Sequence, residues 1–541
     1  MNILGITYGH DSSACIVKDG KILSAISSER IIRKKKHDVV TNELINYVLD
    51  AAKLSAEEID IVAISNFFVP DPYKNNKDYP LEILDEKGLT TTGFNFGPIP
   101  NDYKKLKGKL FGRDIEVIAI SHHICHASAA YYTSNYENSW CFSLDSSGGA
   151  INNNSLIAKG VGNKLFSVNC PNTMIGHGYA QFTSYLGIGD PLYKAGSTMG
   201  LAAYGVPEKR VIDNIDLLKQ GSYFKNKNTE EEERASYIAY YNAMFVDFSG
   251  YYGPFSKEDS YSANAIKVAA SIQYVFEQCI LDVINKIEND GINNICLSGG
   301  SFLNCNANTL IKNNSRFNNI HHFPACGDDG LSIGAALYVA HNIFNEKRYE
   351  YNSKDIAYLG KKHEYIEPDY KKIAEAIASG AIIAWCMGPS EFGPRALGNR
   401  SILADPRNPH NRELLNFLVK KREWYRPFAP SVLEEECDKW FDFKGPSPYM
   451  LYTAKVLQPE KVPAITHIDR TARMQTVNME MNEPYYKLIK EFYKITGVPM
   501  LLNTSLNGKD EPIVETEENL YRFFKTNPVD GMVYNGVLTW K

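Results

Sequence analysis

An α/β fold in two domains is what this sequence predicts, on three observations. Short apolar runs of strand length alternate with helix-periodic segments. Glycine-rich turns follow several of the strands, where α/β folds build their sites. A polar stretch, residues 344–369, then interrupts the pattern and places a domain boundary near residue 355. The expected domains are 1–355 and 356–541, and a chain of 541 residues is long enough for each to bury its own core.

The elements follow in order. Residues 3–7 and 14–17 are apolar, Asp19-Gly20 is a hairpin turn signal, and 22–26 completes a strand–turn–strand opening. A basic run at 30–36 precedes a helix-spaced segment at 42–54 and a strand at 59–64. Residues 67–113, rich in Asp, Asn, Lys, Gly and Pro, read as an extended surface excursion. Strand 115–120 runs into a His-rich segment, and strand 140–144 ends at Asp145-Ser146-Ser147-Gly148-Gly149. A second polar excursion spans 208–262. A helix over 264–287 leads to strand 295–297, Ser298-Gly299-Gly300, and another helix. A short strand at 321–323 leads to Cys326-Gly327-Asp328-Asp329-Gly330 and an Ala-rich helix. Beyond the boundary, 382–386 is a strand, the stretch to 425 is dense in Arg and Lys, and strand 500–502 ends at Asn503-Thr504-Ser505.

Composition excludes several function classes. A net charge of −5 argues against a general polyanion binder, so no nucleic-acid partner is expected. No run approaches the roughly 18 apolar residues of a membrane helix. The N-terminus enters a strand pattern without a basic leader, so no secretory signal is expected. Ten scattered cysteines without a CxxC pair read as reduced thiols in a cytoplasmic protein.

Four groups of residues could carry chemistry. His122 and His126 are four apart, which on a helix puts both imidazoles on one face. With Asp145 and Asp328 at strand ends they would suit iron, manganese or zinc, although two histidines near a strand end also serve simply as caps. Ser298-Gly299-Gly300-Ser301 could hold a phosphate on backbone N–H groups, or be a tight turn. His10, in a polar turn, is a candidate general base or a turn residue. The segment Met199-Gly200-Leu201-Ala202 reads as packing. In the second half Arg395, Arg400, Arg407, Lys420, Lys421, Arg422 and Arg426, with Arg470 and Arg473 later, suggest an anionic substrate, because guanidinium forks match phosphate oxygens.

The motifs together resemble the O-carbamoyltransferase family of nodulation-factor and antibiotic or toxin biosynthesis, over nearly the whole chain. They include His10-Asp11-Ser12-Ser13-Ala14, Glu29-Arg30, Lys36-His37, His122-His123-Ile124-Cys125-His126-Ala127 and Leu144-Asp145-Ser146-Ser147-Gly148-Gly149. They continue through Ser298-Gly299-Gly300 with Leu303-Asn304, Cys326-Gly327-Asp328-Asp329-Gly330, residues 391–404, Arg426-Pro427-Phe428-Ala429-Pro430 and residues 502–505. The resemblance implies an N-terminal sugar-kinase/actin-like domain, as in tRNA threonylcarbamoyl-transferring proteins, and a C-terminal YrdC-like α/β domain. It implies that carbamoyl phosphate and ATP form carbamoyladenylate in the second domain, and that the carbamoyl group passes to a small-molecule hydroxyl in the first. Carried over, Fe(II) or another divalent metal would be held by His122, His126, Asp145 and Asp328, with His10 as base. Nucleotide contacts would come from Ser298, Gly299, Gly300, Ser301 and Asn304. Phosphates would be held by Arg395, Arg400, Lys420, Arg422, Arg426 and Arg473, with Asn503 and Ser505.

Ser197, Pro389, Arg470 and Asp510 depart from the family pattern, the last two replacing frequent glycines. The rival readings are a tRNA threonylcarbamoyl-type modification enzyme, a nucleotide-binding regulator, and a metallopeptidase. The last lacks the usual glutamate after the first histidine, where His123 stands. The two polar excursions are expected to choose the acceptor. A homodimer is the default assembly.

Overall fold

A computed structural model describes residues 1–65, 80–84, 102–146, 154–171, 175–215 and 255–541. Its architecture is α/β throughout, with three main sheets among the described residues. The first runs Lys21–Ser27, Ser13–Lys18, Asn2–Thr7, Ile61–Ser65, Arg113–Ile120, Tyr103–Leu110, Leu81–Leu84. Its opening hairpin turns on Asp19 and Gly20, with φ of 50° and 76°. Both positive values suit a two-residue turn whose twist matches the flanking strands. The central strands Asn2–Thr7 and Ile61–Ser65 pair in parallel, and their continuous apolar runs reflect burial on both faces.

The expected excursion over 67–113 is corrected by two strands. Tyr103–Leu110 pairs antiparallel with Arg113–Ile120 along its whole length, and Leu81–Leu84 extends the sheet. Its sequence, YKKLKGKL, hides the strand because lysines occupy its exposed positions. In the second excursion a helix, Lys209–Ile215, is described; 66–79, 85–101 and 216–254 lie outside the described residues.

The second sheet runs Lys164–Asn169, Ser155–Val161, Asn138–Leu144, Asn294–Ser298, Asn319–His322, its last three strands parallel. The long helix Ala263–Asn285 and the helices Ile175–Tyr185 and Pro191–Ala202 pack beside it. Between the first two sheets lie the helices His122–Tyr132 and Leu331–Leu337. They approach so closely that a Cβ at Gly334 would collide with the backbone oxygen of Cys125. That contact carries Asp328, just upstream of the second helix, to the histidine-bearing end of the first.

The third sheet runs Gln475–Val477, Ala429–Leu433, Met500–Ser505, Arg400–Ala404, Ile383–Cys386, Gly531–Tyr534, Val537–Trp540. It has its own apolar core around Trp385, Leu403, Phe492 and Met500. Phe392, Leu397, Tyr425 and Leu451 instead join the core of the preceding sheets. Polar contacts add to this seam: Asn308 Nδ2 donates to Leu451 O (2.9 Å) and Lys194 Nζ lies 2.6 Å from Glu423 Oε1. No described helix is long and apolar enough to cross a membrane.

Candidate active site

His122 and His126 lie one turn apart on the helix His122–Tyr132, which begins directly after strand Arg113–Ile120. Asp145 follows the strand Asn138–Leu144, and Asp328 opens the turn before the helix Leu331–Leu337. One ligand atom from each of the four residues falls within 4.8 Å of the others. His126 Nε2 is 3.3 Å from Asp145 Oδ2 and 3.4 Å from Asp328 Oδ1; His122 Nε2 is 3.9 and 3.7 Å from the same atoms. Ligands bound about 2.1 Å from one tetrahedral ion sit about 3.4 Å apart, so the spacing fits a metal shell. Two imidazoles and two carboxylates are a donor set for a borderline divalent cation.

The electrostatics agree. Burial works against charge on His126, yet the Asp145 and Asp328 carboxylates raise it to about 9. Burial would raise Asp145, but His122 and His126 hold it well below the usual carboxylate range. His123 Nδ1 pairs with Ser143 Oγ (2.8 Å) and the Cys125 thiol donates to Ile120 O, so neither is among the converging ligands.

His10 sits beside this cluster, its Nε2 3.4 Å from Asp328 Oδ2. Its Nδ1 lies 2.8 Å from Asp11 Oδ2, and the same oxygen accepts from Lys36 Nζ at 2.5 Å. A carboxylate on Nδ1 fixes the ring so that Nε2 faces the cluster. Burial pushes His10 down, but Asp11 and Asp328 outweigh it and, against Lys36, raise it to about 9. Asp11 and Lys36 had no assigned role in the sequence; 25 residues separate them, and no local spacing reveals the pair.

The Ser298–Ser301 segment leaves strand Asn294–Ser298 at Gly299, whose φ is +95° and where a Cβ would collide with Leu144 O. Gly300 N–H donates to Asp145 Oδ2 at 3.2 Å, tying this turn to the His/Asp cluster. Ser298 Oγ is buried and has no hydrogen-bond partner among the described residues. The carbonyl of Ser301 accepts from Asn304 N–H (3.2 Å). Asn304 caps the next helix through Ala307 N–H and exchanges amide hydrogen bonds with Gln273, so its carboxamide is engaged within the protein. The related turn at 147–149 lies outside the described residues.

A second centre forms from Arg395, Lys420, Arg422, Arg426 and Arg473. Burial lowers Arg422, and Arg426 and Arg473 lower it further. Burial and Arg473 bring Arg395 down to about 9. Burial also lowers Lys420, as do Arg422, Lys35 and Arg426. These cations therefore repel one another in a desolvated space, an arrangement that an anion stabilises. Glu423 offers partial balance but is shared between Lys194 and Arg426, at 2.6 and 3.7 Å. Lys420 Nζ donates to Ser505 O (2.5 Å), Asn507 O (3.0 Å) and Asn507 Oδ1 (2.8 Å), which sets Ser505 and Asn507 against this lysine.

Arg400 and Asn503 are placed differently from the expectation. Arg400 Nη1 donates to the carbonyls of Met387, Gly388 and Asn399, and its charge faces Glu515 and Glu391. Asn503 Nδ2 contacts Ala396 O, Ser431 Oγ and Gln475 Oε1 inside the sheet. Arg407 likewise closes on Asp405.

Gly393 packs against the stretch that leads to Asp328. A Cβ on Gly393 would come within 3.1 to 3.3 Å of Pro324 O and Ala325, three residues before Asp328. Arg395, two residues past that glycine, is close enough to Cys326 and Cys305 to feel their thiols electrostatically. Of the family departures, Arg470 (φ 63°) and Asp510 (φ 54°) both occupy the left-handed region that favours glycine. Ser197 is buried, its hydroxyl without a partner among the described residues, and Pro389 O accepts from Asn399 Nδ2.

Comparison with known proteins gives one consistent picture. Residues 2–337 match the family model described as Carbamoyltransferase N-terminus, and 374–541 the one described as Carbamoyltransferase C-terminus. An uncharacterised protein of Synechocystis sp. is 34% identical, covering 98% of this chain and 95% of its own length. Nodulation protein NolNO of Sinorhizobium fredii is 32% identical over 99% of this chain and 79% of its own. The 3'-hydroxymethylcephem-O-carbamoyltransferase of Streptomyces clavuligerus is 25% identical over 100% and 99%.

Proposed function

This chain belongs to the carbamoyltransferase family, and on that premise we propose that it is an ATP-dependent O-carbamoyltransferase with two successive sites. The observation that carries the reading is the convergence of His122, His126, Asp145 and Asp328 within 4.8 Å of one another, with His10 beside Asp328.

In this reading residues 356–541 bind carbamoyl phosphate and ATP. Water cleaves carbamoyl phosphate to carbamate and phosphate; a carbamate oxygen then attacks the α-phosphorus of ATP and pyrophosphate departs, giving carbamoyladenylate. Arg395, Arg422, Arg426, Arg473 and Lys420 offset the phosphate charge, which bidentate guanidinium contacts do well. Residues 1–355 then receive the adenylate and the acceptor. The acceptor oxygen attacks the carbamoyl carbon, AMP departs, and the hydroxyl proton goes to His10 Nε2, the nitrogen left to it by Asp11. His122, His126, Asp145 and Asp328 would hold a divalent cation, Fe(II) in our reading, which when bound supplies Lewis-acid polarisation. Accepting that proton requires the neutral imidazole, so transfer is expected to rise with pH as His10 loses its proton.

The acceptor is proposed to be a small secondary metabolite with a free hydroxyl, such as an antibiotic, an aminoglycoside or an alkaloid toxin. The cephem named for the Streptomyces relative belongs to that class. Ten cysteines, none in a disulfide, suit the cytoplasm. AMP formation measured with and without carbamoyl phosphate tests the reading. AMP and pyrophosphate should appear only with carbamoyl phosphate, and Arg426→Ala should slow them by about ten- to a hundredfold, the loss of one charge-assisted contact. AMP release indifferent to carbamoyl phosphate would refute it.

A further inference from the structure

The motif Glu29-Arg30 has no role in the mechanism above, yet Arg30 reaches from one half of the chain into the other. Its side chain is 3% exposed, and Nη2 donates to Gly393 O at 3.0 Å. Nη1 lies 4.0 Å from Glu515 Oε2, whose companion oxygen accepts from Tyr47 Oη at 2.5 Å. Nε and Nη1 have no hydrogen-bond partner among the described residues. Arg33 makes a parallel crossing, with Nη1 on Ile513 O (2.7 Å) and Nη2 on Pro512 O (2.8 Å). Taking a guanidinium out of water is unfavourable, and one carbonyl with one long ion-pair distance offsets that poorly. Stability is therefore a weak account of Arg30, and what its hydrogen bond holds is a better one.

That bond falls on a loop anchored elsewhere by its own half. Glu391 Oε1 accepts from the backbone N–H groups of Leu397, Asn399 and Arg400 at 2.7, 2.7 and 3.0 Å, closing the base of the loop. Asn503 Nδ2 donates to Ala396 O at 3.2 Å. Arg395 stands between the two held carbonyls, those of Gly393 and Ala396, and its Nε is buried without a partner among the described residues. Gly393 has φ of 114°, and a Cβ there would press on Pro324 O and Ala325. Proline follows, its φ fixed by the ring, so the direction of the Gly393 carbonyl largely sets where Arg395 begins. Resting on the reading of Arg395 as a phosphate ligand, we infer that Arg30 is its positioning residue. By fixing the Gly393 carbonyl from the other half of the chain, it holds the Arg395 guanidinium ready for phosphoryl oxygens, while touching no substrate itself. A preset fork loses less freedom on binding than a wandering one.

The test is a double-mutant cycle on the full chain, read by calorimetric titration with inorganic pyrophosphate, the leaving group of adenylate formation. Arg395→Met should weaken binding about tenfold, about 1.4 kcal/mol, and Arg30→Met by a similar factor. The double variant should bind no more weakly than Arg395→Met alone, because a residue acting only through Arg395 then has nothing left to position. Arg30→Lys, which keeps a donor for Gly393 O, should stay within about threefold of wild type. Thr309→Val removes a different contact between the halves, Thr309 Oγ1 to Thr453 O at 2.8 Å, and should lower the unfolding midpoint without changing pyrophosphate affinity. If Arg30→Met does not fold with Glu515 left alone, Arg30→Met joined to Glu515→Gln removes both charges and takes its place. Multiplied losses, about a hundredfold in the double variant, would overturn the role of Arg30, as would wild-type affinity in either single variant. Equal weakening in Thr309→Val would overturn it too, since a loosened seam would then be the cause. A wild type that binds no pyrophosphate would overturn both this role and the phosphate reading. Coupled losses in a chain that makes no AMP from carbamoyl phosphate would support the positioning role and remove only the proposed reaction.

Discussion

At the scale of single residues, the site depends on pairs whose members are far apart in the chain. His122 and His126 were visible from their spacing, because four residues on a helix share a face. Their carboxylates were not visible from spacing; the motifs singled out Asp145 and Asp328, and it is the packing of the helix Leu331–Leu337 that brings them together. His126→Ala removes one of two imidazoles from the set, and the purified protein should lose bound divalent metal. Elemental analysis checks this directly, with the expectation of at least a tenfold drop in occupancy against wild type reconstituted in parallel. Full occupancy in the variant would show that the cluster is an internal ion-pair network. The cations divide in the same way. Arg395, Lys420, Arg422, Arg426 and Arg473 converge, while Arg400 looks identical in sequence and binds carbonyl oxygens instead. Residue type alone does not distinguish a guanidinium set among like charges from one committed to backbone carbonyls, as Arg400 is.

Among elements, strands with continuous apolar runs and turns with glycine were legible, and so was the long helix Ala263–Asn285 with its buried stripe. The strand Tyr103–Leu110 was not, since its lysines read as a polar excursion while its partner strand carries the apolar residues. The basic run at 30–36 was visible as charge but not as a connector, because its partners Gly393, Pro512 and Ile513 lie hundreds of residues away. The contact at Gly334 gives an element-scale prediction. Gly334→Ala places a methyl against the Cys125 carbonyl and must separate the helix that bears His122 and His126 from the helix that follows Asp328. We expect a loss of about 1 to 3 kcal/mol of stability by denaturant unfolding, with weaker metal retention. An unchanged midpoint would mean that the two helices are free to move apart.

For the whole molecule, the α/β class follows from alternation of period, but the seam between the halves is a tertiary fact. His322 lies on it, with Nε2 3.1 Å from Tyr452 Oη, and His321 stands beside it on Thr133 Oγ1 at 3.1 Å. Burial lowers His321 to about 4 and His322 to about 3. Both are held neutral in the fold and charge readily once unfolded, so their contribution is complete above about pH 6.5 and falls as the pH drops toward 4. Denaturation midpoints measured from pH 7 to pH 4 should therefore decline, and His322→Gln should decline less steeply. The central claim is that adenylate formation and carbamoyl transfer occupy different centres. Carbamoyl phosphate-dependent exchange of labelled pyrophosphate into ATP isolates the first step from the second. His126→Ala is expected to keep this exchange near the wild-type rate, while Arg426→Ala loses it by about ten- to a hundredfold. Exchange abolished equally by both substitutions would contradict it, placing the two steps in a single centre.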